Sequence, residues 1–174
     1  MCIRDRVGFH EKRSSFIADM KSCEILPKRV SDLLVPLREL INSLSLRKKL
    51  PQIELAVTDE ALALVLRVLE KPTADDEAKL RQFQKDYGVD FWYQPKGPDS
   101  IYPMDPENAA RLKLHHRETG VEVVFRPTDF TQVNHRLNEV MVTRALRLLH
   151  LEPSSKVIDF FCGLGNFTLP LATR

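Results

Sequence analysis

The residues best suited to chemistry lie in one run, Val157-Ile158-Asp159-Phe160-Phe161-Cys162-Gly163-Leu164-Gly165-Asn166-Phe167-Thr168-Leu169-Pro170. Apolar residues that read as a buried strand lead into a loop with two glycines and then into the start of a helix. Gly163 and Gly165 carry no Cβ, so the backbone there can take positive φ and let a ligand approach closely. Asn166 is suited to cap the following helix, whose free N–H groups would face a nucleotide-sized pocket. The dinucleotide pattern G-x-G-x-x-G is not met, because position 168 is Thr, and no Walker lysine is present. Both facts count against NAD and ATP.

Other candidates carry less. The cysteines Cys2, Cys23 and Cys162 are odd in number and widely spaced, which argues for reduced thiols or metal ligands rather than disulfides. Cys162 reads as a small buried residue. His115-His116 has no carboxylate or cysteine at zinc spacing and reads as an exposed strand end. Arg111, Lys113, His115 and Arg117 alternate with Arg126 nearby, and Lys28, Arg29, Arg47, Lys48 and Lys49 form a second cluster. Each is either a strip for a polyanion or a mixed solvated surface. Phe91-Trp92-Tyr93 offers stacking area for bases, although strand core is the expectation.

These groups need elements to position them. Polar turn residues between Val7-Gly8-Phe9 and Phe16-Ile17-Ala18 suggest a hairpin, with Cys23 on the loop that follows. Pro27 can open a helix carrying Val30, Leu33, Leu34, Leu37, Leu40, Ile41 and Leu44 at helical spacing. Residues 53–57 and 62–69 read as a hairpin around Thr58-Asp59-Glu60, although the second stretch also suits a helix. Thr73 caps a helix that ends at Gly88, and residues 89–93 form a short strand. After a proline-rich loop, residues 111–116 and 121–126 make another hairpin around Glu118-Thr119-Gly120. Residues 7–126 thus read as an α+β domain with antiparallel pairing. Beyond Pro127, a helix opening near Asn134, with Leu137, Val140, Met141, Ala145, Leu148 and Leu149 on one face, leads to a strand at 156–160 and the glycine loop. That order is the entry to a doubly wound α/β sheet, whose ligands sit beyond the carboxyl ends of the strands. With one strand before Arg174, this second unit, residues 127–174, is expected to be incomplete.

Composition bounds the class. The 174 residues are 43% hydrophobic and 29% charged, ordinary values for a soluble globular protein. No apolar run reaches the ~20 residues that span a bilayer and no secretory signal is visible, so the expected compartment is the cytoplasm and no membrane partner is implied. The net charge of +2 is unevenly spread: residues 1–50 carry +5, residues 51–108 carry −6 and residues 109–174 carry +3. Residues 1–6 join no later pattern and read as a non-native leader.

Asp159-Phe160-Phe161-Cys162-Gly163-Leu164-Gly165-Asn166-Phe167-Thr168 resembles the first motif of class I, Rossmann-like S-adenosylmethionine-dependent methyltransferases. Together with Pro127-Thr128-Asp129-Phe130-Thr131-Gln132-Val133-Asn134 it resembles the RNA (uracil-5-)-methyltransferase family, and within it the bacterial branch that modifies 23S ribosomal RNA and carries an iron–sulfur cluster. The likeness is strong over residues 127–171 and weak over the α+β part. It implies that Gln132, Phe161 and Asn166 contact S-adenosylmethionine and that Gly163 and Gly165 shape the loop. The residues alone leave other roles open: a helix cap for Gln132, sheet core for Phe161, an N-cap for Asn166.

The resemblance also assigns Cys23, ahead of a Leu-rich helix, to one of four thiolates around a [4Fe–4S] cluster, with its partners not matched here. In the family a cysteine thiolate adds to C6 of uracil, C5 attacks the sulfonium methyl, and a carboxylate removes the C5 proton. Neither that cysteine nor that glutamate has a matching motif in this sequence. The expectation is therefore a monomeric piece of the enzyme, inactive alone, with 23S ribosomal RNA as partner. The rivals are a tRNA uracil-5 methyltransferase relative and a non-catalytic RNA-binding module.

Overall fold

The computed structural model describes residues 6–174; Cys2 and the rest of the expected leader, apart from Arg6, lie outside them. Helices and strands are mixed, with one four-stranded and one two-stranded sheet. β1 (Gln52–Val57) and β2 (Leu62–Arg67) form the expected hairpin. Residues Leu62 to Leu66 are buried on both faces, which is why β2 lacks the polar alternation that would have separated it from a helix. α3 (Ala74–Tyr87) follows, opened by a capping box in which Thr73 and Asp76 exchange hydrogen bonds and closed at Gly88. It carries the chain over to β3 (Asp90–Gln94), which pairs with β2 in parallel. This corrects the expectation of purely antiparallel pairing: a helix between two strands returns the chain in the same direction. β4 (Tyr102–Pro103) completes the order β1-β2-β3-β4.

The helical layer covers one face of this sheet. α1 (Lys28–Ser31) and α2 (Leu34–Ser43) replace the single helix expected from Pro27 to Leu44. Pro36 explains the break, since it offers no N–H to the Asp32 carbonyl and its ring crowds that turn. Leu37, Leu40, Ile41 and Leu44 still pack against Leu64, Leu66, Phe91 and Tyr93, with Leu80 and Phe83 of α3 beside them. The opposite face carries Ala56, Ala63 and Trp92. Small side chains there let the hairpin of β5 (Leu112–His116) and β6 (Val121–Phe125) press Leu112, Leu114, Val123 and Phe125 onto the sheet. The aromatic run is thus largely core, with Phe91 and Tyr93 buried. The expected hairpin at the start reduces to a single bridge between His10 and Ile17.

Beyond Pro127 the chain forms α4 (His135–Leu149) and the short α5 (Thr168–Leu171). Asn134 caps α4 by accepting from the Leu137 N–H at 3.0 Å. The strand expected at 156–160 is not formed: these residues join no ladder, and Ile158 and Phe160 are exposed. Of the apolar residues expected along one face of α4, Leu137, Val140, Met141, Leu148 and Leu149 are exposed, while Asn138, Val142 and Leu146 are buried. With no sheet beside it, the exposed stripe of α4 has nothing to pack against.

Candidate cofactor loop

The loop after residue 160 is held by a few specific bonds. Phe161, Gly163 and Gly165 all have positive φ, at 63°, 54° and 85°. The Gly165 N–H donates to the Cys162 carbonyl and its own carbonyl accepts from the Leu169 N–H, both at 2.9 Å. A Cβ at Gly165 would meet Leu169 Cγ at 2.8 Å, so this glycine is required by both φ and space. The Thr168 hydroxyl donates to Asp159 at 2.6 Å, tying the end of the extended segment to the first residue of α5. Asp159 therefore orders the loop.

Asn166 is placed differently from the capping role expected of it. The residue at the start of α5 is Phe167, without a side-chain cap, because the Asn166 amide is engaged elsewhere. Asn138 Nδ2 donates to Asn166 Oδ1 at 2.7 Å and Asn166 Nδ2 donates to Asn138 Oδ1 at 2.9 Å. This reciprocal amide pair joins α4 to the loop. Phe161, whose ring is fully exposed, is not sheet core. Gln132 does not cap α4, which Asn134 does; its amide is exposed and makes no hydrogen bond among the described residues. Loop and α4 are thus brought together by Asn138 rather than by Gln132. Cys162 is exposed, contrary to its reading as a buried residue.

Below the pair lies a cleft of about 310 Å³ between the β1–β2 turn, the β5–β6 hairpin and the start of α4, lined in part by Asp59, His115, His116, His135, Asn138 and Glu139. His116 is 4% exposed, which corrects its reading as an exposed strand end. Burial pushes its imidazole below the ordinary value of 6.5, outweighing Asn166 and Glu139, which favour the charged form. His135 is lowered in the same way by burial, against the pull of Asp59. The hairpin is also pinned to α4 and to Arg174 beyond α5. The Arg117 N–H donates to Glu139 at 2.9 Å, and Glu118 accepts from Arg147 at 3.1 Å and from Arg174 at 2.8 Å.

The basic strip is partly neutralised. Lys113 pairs with Glu122 at 2.9 Å and Arg126 with Asp129 at 3.3 Å, while Arg117 lies 4.0 Å from Asp59. In the second cluster, Arg29 donates to the carbonyls of Thr58 and Ala61, and Lys28 and Lys49 pair with Asp32 and Glu70. Cys23 is half-buried on the loop before α1, its N–H donating to Ser31 Oγ at 2.8 Å. An iron–sulfur cluster takes four thiolates. Among the described residues no three His, Cys, Asp or Glu side chains converge, so the donors present do not fit a cluster. No helix of the described residues is long and apolar enough to cross a membrane.

Asn138 escaped the sequence reading. Asn138, Val142 and Leu146 recur at every fourth position, so a polar residue at the head of an apolar stripe was the available signal.

A mixed helix and strand body, continued by a capped helix that holds a glycine loop, agrees with the family comparison. The model described as tRNA (Uracil-5-)-methyltransferase matches residues 9–174, and the chain belongs to that family. Among relatives, it is 56% identical over 168 residues to the 23S rRNA (uracil(1939)-C(5))-methyltransferase RlmD of Ralstonia pickettii, covering 97% of this chain and 37% of the relative. The proteins of the same name from Cupriavidus necator and Burkholderia lata are 56% and 58% identical, over 97% and 95% of this chain and 38% and 36% of theirs. The chain therefore spans little more than a third of the length of these relatives.

Proposed function

We propose that this chain is part of an S-adenosylmethionine-dependent methyltransferase that forms 5-methyluridine in 23S ribosomal RNA. The observation that carries this is the 56–58% identity to 23S rRNA methyltransferases, which extends across the α+β part and the glycine loop alike. The family description names tRNA, but the relatives at this identity are named for 23S rRNA, which favours the ribosomal substrate. In this reading residues 7–126 are a central α+β domain and residues 127–174 open a Rossmann-like cofactor domain. The protein works as a monomer in the cytoplasm.

The residues present suit S-adenosylmethionine. Phe161, Gly163 and Gly165 give the loop its left-handed turns, and the Asn166 amide keeps one N–H beyond its pairing with Asn138. Gln132, Phe161 and Asn166 contact the cofactor, and Gly163 and Gly165 let the backbone lie against it. When bound, the cofactor supplies an electrophilic methyl group on a sulfonium. The thiolate and carboxylate that work on the uracil ring have no counterpart motif in this sequence, so the chain alone binds without turning over.

The substrate assignment is tested by binding of 23S rRNA fragments and tRNA to the chain at fixed salt, with methyl incorporation followed in parallel. Tighter binding to a 23S fragment and no incorporation are expected. A preference for tRNA, or methyl incorporation by the chain alone, would contradict it. RNA affinity unchanged in a Gln132→Ala, Gly165→Ala variant would favour a plain RNA-binding module.

A further inference from the structure

A buried asparagine on the inner stripe of an amphipathic helix needs a partner, because an unbonded amide in that position is costly. Asn138 is 4% exposed, in line with Val142 and Leu146, and both polar atoms of its amide are satisfied by the one residue Asn166. Such a cyclic pair fixes distance and plane together, which a single hydrogen bond does not. It also uses only half of each amide. The Asn166 oxygen also meets His116, while the outer N–H of Asn166, which is partly exposed, remains for a further acceptor.

We infer that Asn138 is a positioning residue for the cofactor: by pairing with Asn166 it holds the loop so that the remaining N–H of the Asn166 amide faces the bound ligand. This rests on the reading of the loop as an S-adenosylmethionine site. Asn138 touches no substrate. It acts through Asn166, from a helix that Asn134 caps and that the Glu139 contact with the Arg117 N–H fixes to the hairpin.

The test is made on the full 174-residue chain with two variants and two readouts. Asn138→Ala deletes the pair. Asn138→Asp turns the donor facing Asn166 Oδ1 into a carboxylate oxygen, which repels it when ionised and restores an O–H donor when protonated. The titratable and charged groups around the cleft are Asp59 and Glu60 on the β1–β2 turn, Lys113, His115, His116, Arg117 and Glu122 on the β5–β6 hairpin, and His135, Arg136 and Glu139 on α4; wild type carries them all and serves as the control. Readouts are the protection of the Gly165 and Leu169 amides against hydrogen exchange, and the affinity for S-adenosylhomocysteine, which binds without reacting.

Asn138→Ala is expected to lose loop protection and ligand affinity at least about tenfold, the equivalent of roughly 1.4 kcal/mol. Asn138→Asp is expected to lose both near pH 8 and regain them in acid, as the new carboxyl, raised by burial above its ordinary value of about 3.9, takes up its proton, a profile that general loosening of the fold does not produce. Wild-type values in both variants at every pH, or an Asn138→Asp defect independent of pH, would overturn the inference. Should wild type bind no S-adenosylhomocysteine, the cofactor reading fails for this chain. Loop protection then decides alone: a tenfold loss with recovery in acid supports the pairing role, and unchanged protection refutes it.

Discussion

Replacing Asp76 with Ala is the sharpest test of how the helical layer is held. Asp76 stands in the first turn of α3 and is 0% exposed. Its carboxylate accepts four hydrogen bonds: from the Ser45 N–H at 2.7 Å and hydroxyl at 2.6 Å, and from the Thr73 N–H at 3.1 Å and hydroxyl at 2.9 Å. It thereby ties Ser45, two residues beyond α2, to the cap of α3. The alanine variant leaves two backbone N–H groups unpaired, at about 1–2 kcal/mol each, while the two hydroxyls are free to rotate. A total of about 2–4 kcal/mol is expected, which at a urea slope of about 2 kcal/mol/M lowers the midpoint by roughly 1–2 M.

Acid gives the same experiment a second axis. Burial alone would raise the Asp76 carboxyl, but the bonds from Ser45 and Thr73 outweigh it and hold it below its ordinary 3.8. A depressed carboxylate stabilises the fold above 3.8 and loses that contribution as pH falls through the lower folded value. The gap between wild type and Asp76→Ala should therefore close in acid. A midpoint within ~0.3 M of wild type at neutral pH, or a gap that does not narrow in acid, would refute the reasoning.

The other expectations concern the loop, the buried histidine and the core. Gly165→Ala is expected to weaken S-adenosylhomocysteine binding more than Gly163→Ala, since both strain φ but only Gly165 has Leu169 Cγ in the way; calorimetric titration of the two variants compares them. His116 is held neutral by burial, so its contribution to stability is present above 6.5 and is lost as pH falls through 6.5 toward its lower folded value. His116→Gln should flatten that part of the pH–stability curve. Leu66→Ala, at a 0% exposed position between both layers, should cost about 2–5 kcal/mol in urea unfolding, whereas Glu118→Gln, in exposed pairs with Arg147 and Arg174, should cost under about 1 kcal/mol.

Local signals carried much of the fold. The Thr73 cap with Asp76 and the stop at Gly88 bounded α3, and the turns at 58–60 and 118–120 set two hairpins, because capping and turn chemistry act within a few residues. Pairing of β2 with β3 was not legible, since strand direction depends on the path of α3 across the sheet rather than on either strand's own residues. Pro36 was visible in the sequence, yet the apolar spacing around it outweighed its meaning as a breaker. The candidate loop was legible through Gly163, Gly165 and Asp159, whose roles are local. The partner of Asn166 was not legible, because it lies on α4, 28 positions earlier, and such a contact leaves no mark near the loop.

The central claim, that this loop receives S-adenosylmethionine, is tested most directly by following the backbone amide resonances of residues 157–171 as S-adenosylmethionine is titrated into the chain, with ATP and NAD as controls. Saturable shifts centred on Phe161, Gly163, Gly165 and Asn166, competed by S-adenosylhomocysteine and not produced by ATP or NAD, are expected. Unmoved loop resonances, or equal shifts with ATP, would contradict the account.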